Sequence, residues 1–116
     1  MNNSNIKAKA FQNWQAAEKL RTNSLYNSAA SRLYYALFHF YYQKAVEEKF
    51  IGYNPPGVHE HVLNYIKTYH RSIERDYRKI LNLRIKADYE EDLVDSALYN
   101  ERYLMANKVY LYTTGS

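Results

Sequence analysis

Two arginine-centred groups in this sequence carry residue types able to move a proton or hold an anion. Arg32 and His39 are separated by six residues. On a helix that interval is about two turns, so both side chains project to nearly the same side, roughly 10 Å apart along the axis. A guanidinium placed so could stabilise a phosphate oxyanion while the imidazole, which titrates near neutrality, transfers a proton. The bland alternative is a histidine packed and hydrogen-bonded within the aromatic run Leu33 to Tyr42. Arg84 and Asp88 form the second group, at the i,i+4 spacing where an exposed ion pair contributes only about 0.2–0.5 kcal/mol. The neighbours Leu83, Ala87 and Tyr89 argue instead for burial. Arg84, Asp88 and Tyr89, joined by Arg32, would then form a polar network inside the fold or at a dimer seam.

A third pattern could hold a polyanion. Arg71, Arg75 and Arg78 recur every three to four residues and share a helix face, with Lys67 and Lys79 near its edges and Tyr69 and Tyr77 interleaved. Cations that contact phosphates beside rings that stack bases are what single-stranded RNA recognition needs. The same stripe could pair with the acidic segment from Asp88 to Glu101, which contains no basic residue. His59 and His61 flank Glu60 but point to different sides of a helix, and only distant His70 could join them, so no metal site is expected. The sequence has no cysteine, which excludes disulfides, thiolate ligands and a thiol nucleophile. No glycine-rich phosphate loop is present, and no cofactor is expected.

These residues must be positioned by helices. Both prolines and two of the three glycines fall between Gly52 and Gly57, and no stretch alternates as a strand does. The spacing predicts a first helix from a cap at Ser4 or Asn5 to Arg21, with Trp14 as a core anchor. A polar turn at Thr22 to Ser24 leads to a long helix from Leu25 to Phe50. After the loop from Ile51 to Gly57, a third helix starts near Val58, buries Val62, Tyr65, Ile66 and Tyr69, and breaks near His70 to Ser72. A fourth buries Ile73, Tyr77, Ile80, Leu81 and Leu83. A last helix from Glu91 to Tyr112 turns Leu93, Val94, Ala97, Leu98, Leu104, Met105 and Val109 inward. The expected fold is an all-α antiparallel up-and-down bundle of about five helices. One domain spans residues 1–116, with 1–5 and 113–116 frayed.

The 116 residues carry a net charge of +4, compatible with an anionic partner but modest for a nucleic-acid binder. Fourteen tyrosines against four phenylalanines imply wet seams or a self-association surface, because each buried ring brings a hydroxyl that wants a partner. A homodimer is the structural expectation. No apolar run approaches a membrane span and the polar N-terminus lacks a signal-peptide pattern, so a cytoplasmic location is the default.

Two segments carry more than packing: Ala29-Ala30-Ser31-Arg32-Leu33-Tyr34-Tyr35-Ala36-Leu37-Phe38-His39 and Leu83-Arg84-Ile85-Lys86-Ala87-Asp88-Tyr89. In this order, separated by a turn and Gly57-Val58-His59, they resemble the HEPN domain of small prokaryotic proteins. The resemblance covers about Ala10 to Val109. It implies a dimeric bundle of about five helices, encoded beside a minimal nucleotidyltransferase in toxin–antitoxin pairs. Some members are ribonucleases whose motif is an arginine, four to six residues and a histidine. Two such motifs meet at a dimer seam, and a metal-independent cut uses the RNA 2′-hydroxyl as nucleophile. Here the histidine after Arg84 is missing, and Asp88 and Tyr89 stand in its place. An ionised carboxylate and a protonated phenol do not replace an imidazole. The resulting expectation is a homodimeric HEPN-type protein that binds single-stranded RNA and is a candidate ribonuclease. The alternative is a non-catalytic interaction module for a nucleotidyltransferase partner.

Overall fold

The segment with aromatic residues on nearly every side becomes the helix that all the others cover. In the computed structural model, which describes residues 3–90 and 93–113, five helices follow one another: α1 (Asn3–Thr22), α2 (Tyr26–Glu47), α3 (Val58–Tyr69), α4 (Arg71–Tyr89) and α5 (Ser96–Thr113). No strand occurs among the described residues. On α2, Ala29, Ala30, Leu33, Tyr34, Ala36, Leu37, Phe38, Phe40, Tyr41, Tyr42 and Ala45 are all buried. A helix so largely apolar must sit inside its bundle, here with a narrow strip at Ser28 and Arg32 left exposed, and α2 packs against each of the other four. The main core draws on all five helices, from Ile6 and Ala17 through Leu33, Ile66 and Ile80 to Val109. A smaller cluster of Ala10, Ala36 and Phe40 lies under Trp14 and Tyr110. Trp14 is only partly buried and stacks on Tyr110 at 4.8 Å, so it seals the α1–α5 edge and does not anchor the centre.

Helix ends explain most boundary differences. α2 stops at Glu47, short of the expected Phe50, because Lys49 adopts the left-handed conformation (φ 60°). Its N–H bonds the Val46 carbonyl and that of Phe50 bonds Ala45, which caps the helix as a Schellman motif. α1 ends the same way around Ser24 (φ 59°), with Ser24 bonded to Arg21 and Leu25 to Leu20. Gly57 (φ 66°) turns the chain into α3, where a residue with a Cβ would be strained. The α3–α4 break is a single residue, His70, with φ −136° and ψ 45°. α1 begins at Asn3, ahead of the expected cap, so residues 3–5 are helical where the sequence suggests fraying. Residues 1, 2, 114–116, 91 and 92 lie outside the described residues, and the last two include the expected start of the final helix at Glu91.

The final helix differs in extent and register. It starts at Ser96, where Asp95 Oδ1 accepts from the Leu98 N–H at 2.8 Å as an N-cap. Val94, Tyr99, Ala106 and Val109 are its buried residues, with Val94 just outside the helix. Leu93 and Leu104, expected inside, are 79% and 70% exposed, and Ala97 is exposed too. Tyr99, Tyr103 and Tyr110 share the inner face with Ala106 and Val109, which turns Leu104 to the opposite side.

Asn27 ties this connection to α2: its Oδ1 accepts from the Val94 N–H at 2.7 Å and its Nδ2 donates to the Ala87 carbonyl at 3.4 Å. Because Val94 is buried, Asn27→Ala should cost about 1–3 kcal/mol in urea unfolding, whereas Leu93→Ala, at a position 79% exposed, should stay within about 0.5 kcal/mol of the native chain. Lys49→Gly should stabilise by roughly 1 kcal/mol, since it removes the left-handed penalty at the end of α2.

Candidate functional site

The α2 run Tyr34-Tyr35-Ala36-Leu37-Phe38 places Tyr34 and Phe38 one turn apart and Tyr35 beside them, all toward the α3–α4 side. The Gly57 turn delivers His59 as the second residue of α3, and its ring stacks on Phe38 with centroids 4.1 Å apart. His59 Nδ1 lies 2.8 Å from the Tyr34 hydroxyl. Arg84 enters from α4: its Nη2 donates to the Tyr35 hydroxyl at 2.9 Å and its Nε to Asp88 Oδ2 at 3.1 Å. The guanidinium carbon stands 5.5, 5.2 and 5.8 Å from the ring centroids of Tyr34, Tyr35 and Tyr89. Such contacts favour the cation. Tyr34, His59, Glu60, Tyr77 and Arg84 line a cavity of about 110 Å³. That is room for a phosphate-sized group.

The electrostatics suit proton transfer near an anion. Burial against Phe38 and Tyr34 is the larger cause that lowers the His59 pKa from its ordinary 6.5, and the Arg84 charge lowers it further. The imidazole is therefore neutral at pH 7. One ring nitrogen meets Tyr34, which leaves Nε2 for a ligand. Among the described residues Arg84 Nη1 has no hydrogen-bond partner, and the side chain is 20% exposed. Burial raises the Tyr34 pKa, so its hydroxyl keeps its proton. A neutral base and a half-satisfied guanidinium thus line one cavity.

The residues singled out from the sequence distribute differently. Arg84, Asp88 and Tyr89 do come together, with Ser31 Oγ also donating to Asp88 Oδ2 at 3.4 Å, but at the surface and not buried as expected: Arg84 is half-buried, while Asp88 and Tyr89 lie exposed near the end of α4. Arg32 is exposed and turns to α1, where Nη1 donates to Asn13 Oδ1 at 3.1 Å. It shares a cleft with Asp88 but no hydrogen bond with it. His39 Nδ1 is 2.7 Å from the Tyr35 carbonyl, an acceptor only, so this nitrogen carries the proton. Burial depresses its pKa, the Tyr35 hydrogen bond opposes this in part, and the nearby Lys9 and His59 lower it by less. Arg32 and His39 are therefore engaged by different partners. His59, met in the sequence only as a candidate metal ligand, takes the place beside an arginine. The Gly57-Val58-His59 stretch between the two motifs was the signal for it. Among the described residues no group of three or more histidine or carboxylate side chains is placed to hold a metal ion.

The basic stripe is exposed at Lys67, Arg71, Arg75 and Arg78, whereas Lys79 is half-buried toward α5. Arg78 is held by Glu74 at 2.7 Å. Among the described residues no ion pair joins Arg71, Arg75 or Arg78 to the acidic segment. Tyr69, expected in the core of α3, is instead 59% exposed, because it sits at the end of the helix with Phe50 and Tyr65 packed on its ring, whereas Tyr77 is 1% exposed and belongs to the core, so it is unavailable to a base. No helix among the described residues is long and apolar enough to cross a membrane.

No family model matches the chain, and neither a curated protein nor a solved structure does.

The depressed histidines make a stability prediction. His39, His59 and His70 all have folded pKa values below 6.5, each chiefly through burial. The unfolded chain therefore binds more protons as pH falls, and the stability present above pH 6.5 is lost through the folded pKa values. The melting temperature should drop steadily from pH 7.5 to pH 5.5, a window in which ordinary carboxylates stay ionised. A flat or rising profile would show that folding does not favour the neutral form of these imidazoles.

Proposed function

We propose that this chain is a HEPN-type protein of a prokaryotic toxin–antitoxin or defence module that binds and cleaves RNA as a homodimer, with His59 and Arg84 as its chemical pair. The observation that supports this reading is the shared cavity of His59 and Arg84 beside Tyr34. In this reading the neutral His59 Nε2 takes the proton from an RNA 2′-hydroxyl, whose oxygen attacks the adjacent phosphorus. Arg84 Nη1 neutralises charge on the non-bridging oxygens as the bond to the 5′-oxygen breaks. The leaving oxygen takes a proton from water or from the imidazolium, so the products are a cyclic phosphate and a 5′-hydroxyl. Tyr34 is a positioning residue that fixes the imidazole. The exposed Arg71, Arg75 and Tyr69 would contact the strand beyond the cavity. The many tyrosines and the exposed Leu104, Leu111 and Tyr112 on α5 support self-association.

One observation favours a second reading, a non-catalytic interaction module for a nucleotidyltransferase partner. Arg84 is already held by Asp88, Tyr35 and three rings, as a structural clasp between α2 and α4 would be.

RNA cleavage in the presence of a chelator separates the two. The native protein, freed of any partner, should cut mixed single-stranded RNA. His59→Gln and Arg84→Gln should each lose about 10²-fold or more, and His39→Gln should keep most of the rate. Absence of cleavage by the native protein, or equal loss in folded His39→Gln, would count against the catalytic reading.

A further inference from the structure

Along the seam between α4 and α5 the fold gathers cations that the sequence does not group. Lys79 and Lys86, two turns apart on α4, face Arg102 of α5 across an open cleft of about 260 Å³, with Asn82 beside them. Glu90 is the carboxylate of that lining. Three like charges from two helices repel one another in so small a space unless an anion sits among them. Two of the three, Lys86 and Arg102, are paired with the protein's own acids. Glu90 reaches Lys86 at 3.9 Å from the lip, where its side chain is 54% exposed. Glu101 pairs with Arg102 at 2.6 Å but is itself 62% exposed, on the solvent side of the guanidinium. Lys79 has no ion pair among the described residues. The Arg102 and Lys86 side chains are only 23% and 27% exposed, which strengthens their pull on a ligand.

We propose that this cleft is a phosphate-binding site, for a phosphomonoester or for one phosphodiester of a nucleic-acid strand. Arg102 offers a planar fork of N–H donors of which Glu101 takes one, Lys79 supplies a mobile point charge, and Asn82 adds neutral amide donors. Glu90 is the element that opposes an anion. The site stands apart from the His59 cavity and does not rest on cleavage there.

The test uses the full chain at low ionic strength with two probes, a short fluorescein-labelled oligouridylate followed by anisotropy and inorganic phosphate followed by NMR shifts of the Arg102 Nε and Asn82 amide signals. Lys79→Gln and Arg102→Gln, verified as folded by circular dichroism, should each weaken binding about tenfold. Each should also reduce the salt slope for the oligonucleotide by about 1. Glu90→Gln should tighten binding, and Lys7→Gln, an equal loss of charge on the exposed side of α1, should change it far less. Phosphate binding with this pattern but no oligonucleotide binding would support the site, identify its source as a free phosphate ester, and count against the RNA reading. Binding of neither probe, or Lys79→Gln and Arg102→Gln that bind as the native chain does, would overturn the proposal.

Discussion

A tyrosine buried on a central helix leaves a hydroxyl that must find a partner or forfeit about 1–3 kcal/mol. α2 touches all four other helices and carries Tyr34, Tyr35, Tyr41 and Tyr42, so its surroundings are organised by this requirement. Tyr34 finds His59, Tyr35 finds Arg84, Tyr41 reaches the Val109 carbonyl, and Tyr42 accepts from the Asn54 backbone. Each contact fastens a different neighbour to α2: the start of α3, the middle of α4, the end of α5 and the loop after α2. Tyr65 and Tyr112 repeat the device around His70, where α3 gives way to α4. Hydrophobic burial supplies the driving force for the bundle, and these polar ends specify which helix faces meet.

The same requirement creates the candidate site. A phenylalanine in place of Tyr34 or Tyr35 would pack as well but would give neither His59 nor Arg84 a reason to turn inward. Once there, each perturbs the other: the guanidinium disfavours an imidazolium, and the rings around it hold the guanidinium in place. A neutral histidine beside a fixed positive charge is a competent arrangement for chemistry on an anion, and it needs no metal ligand. It also carries a structural cost in acid, because protonation of His59 sets a second charge beside Arg84.

Much of the architecture was legible in the residues. Pro55, Pro56 and Gly57 mark the one long loop, and apolar spacing marks five helices with a break at His70. Pairing of Arg84 with Asp88 follows from i,i+4 spacing alone. What could not be read rests on residues that defy their usual roles or on contacts distant in the chain. Ser24 and Lys49 occupy left-handed positions where glycine is the usual signal. In α5 the aliphatic Leu104 faces out while Tyr99 is fully buried, against a reading by hydropathy. His59 meets Tyr34 across 25 positions and Arg84 meets Tyr35 across 49, and no local pattern encodes either. Lys79 belongs by helical spacing to the basic stripe, yet the packing of α5 moves it toward Arg102.

The central claim is that His59 is a neutral imidazole held by Tyr34 and kept so in part by Arg84. NMR titration of the His59 ring in the native chain and in Arg84→Gln measures this directly. The account predicts a native midpoint below 6.5 that rises when the Arg84 charge is removed. A native midpoint at or above 6.5, unchanged in folded Arg84→Gln, would contradict it.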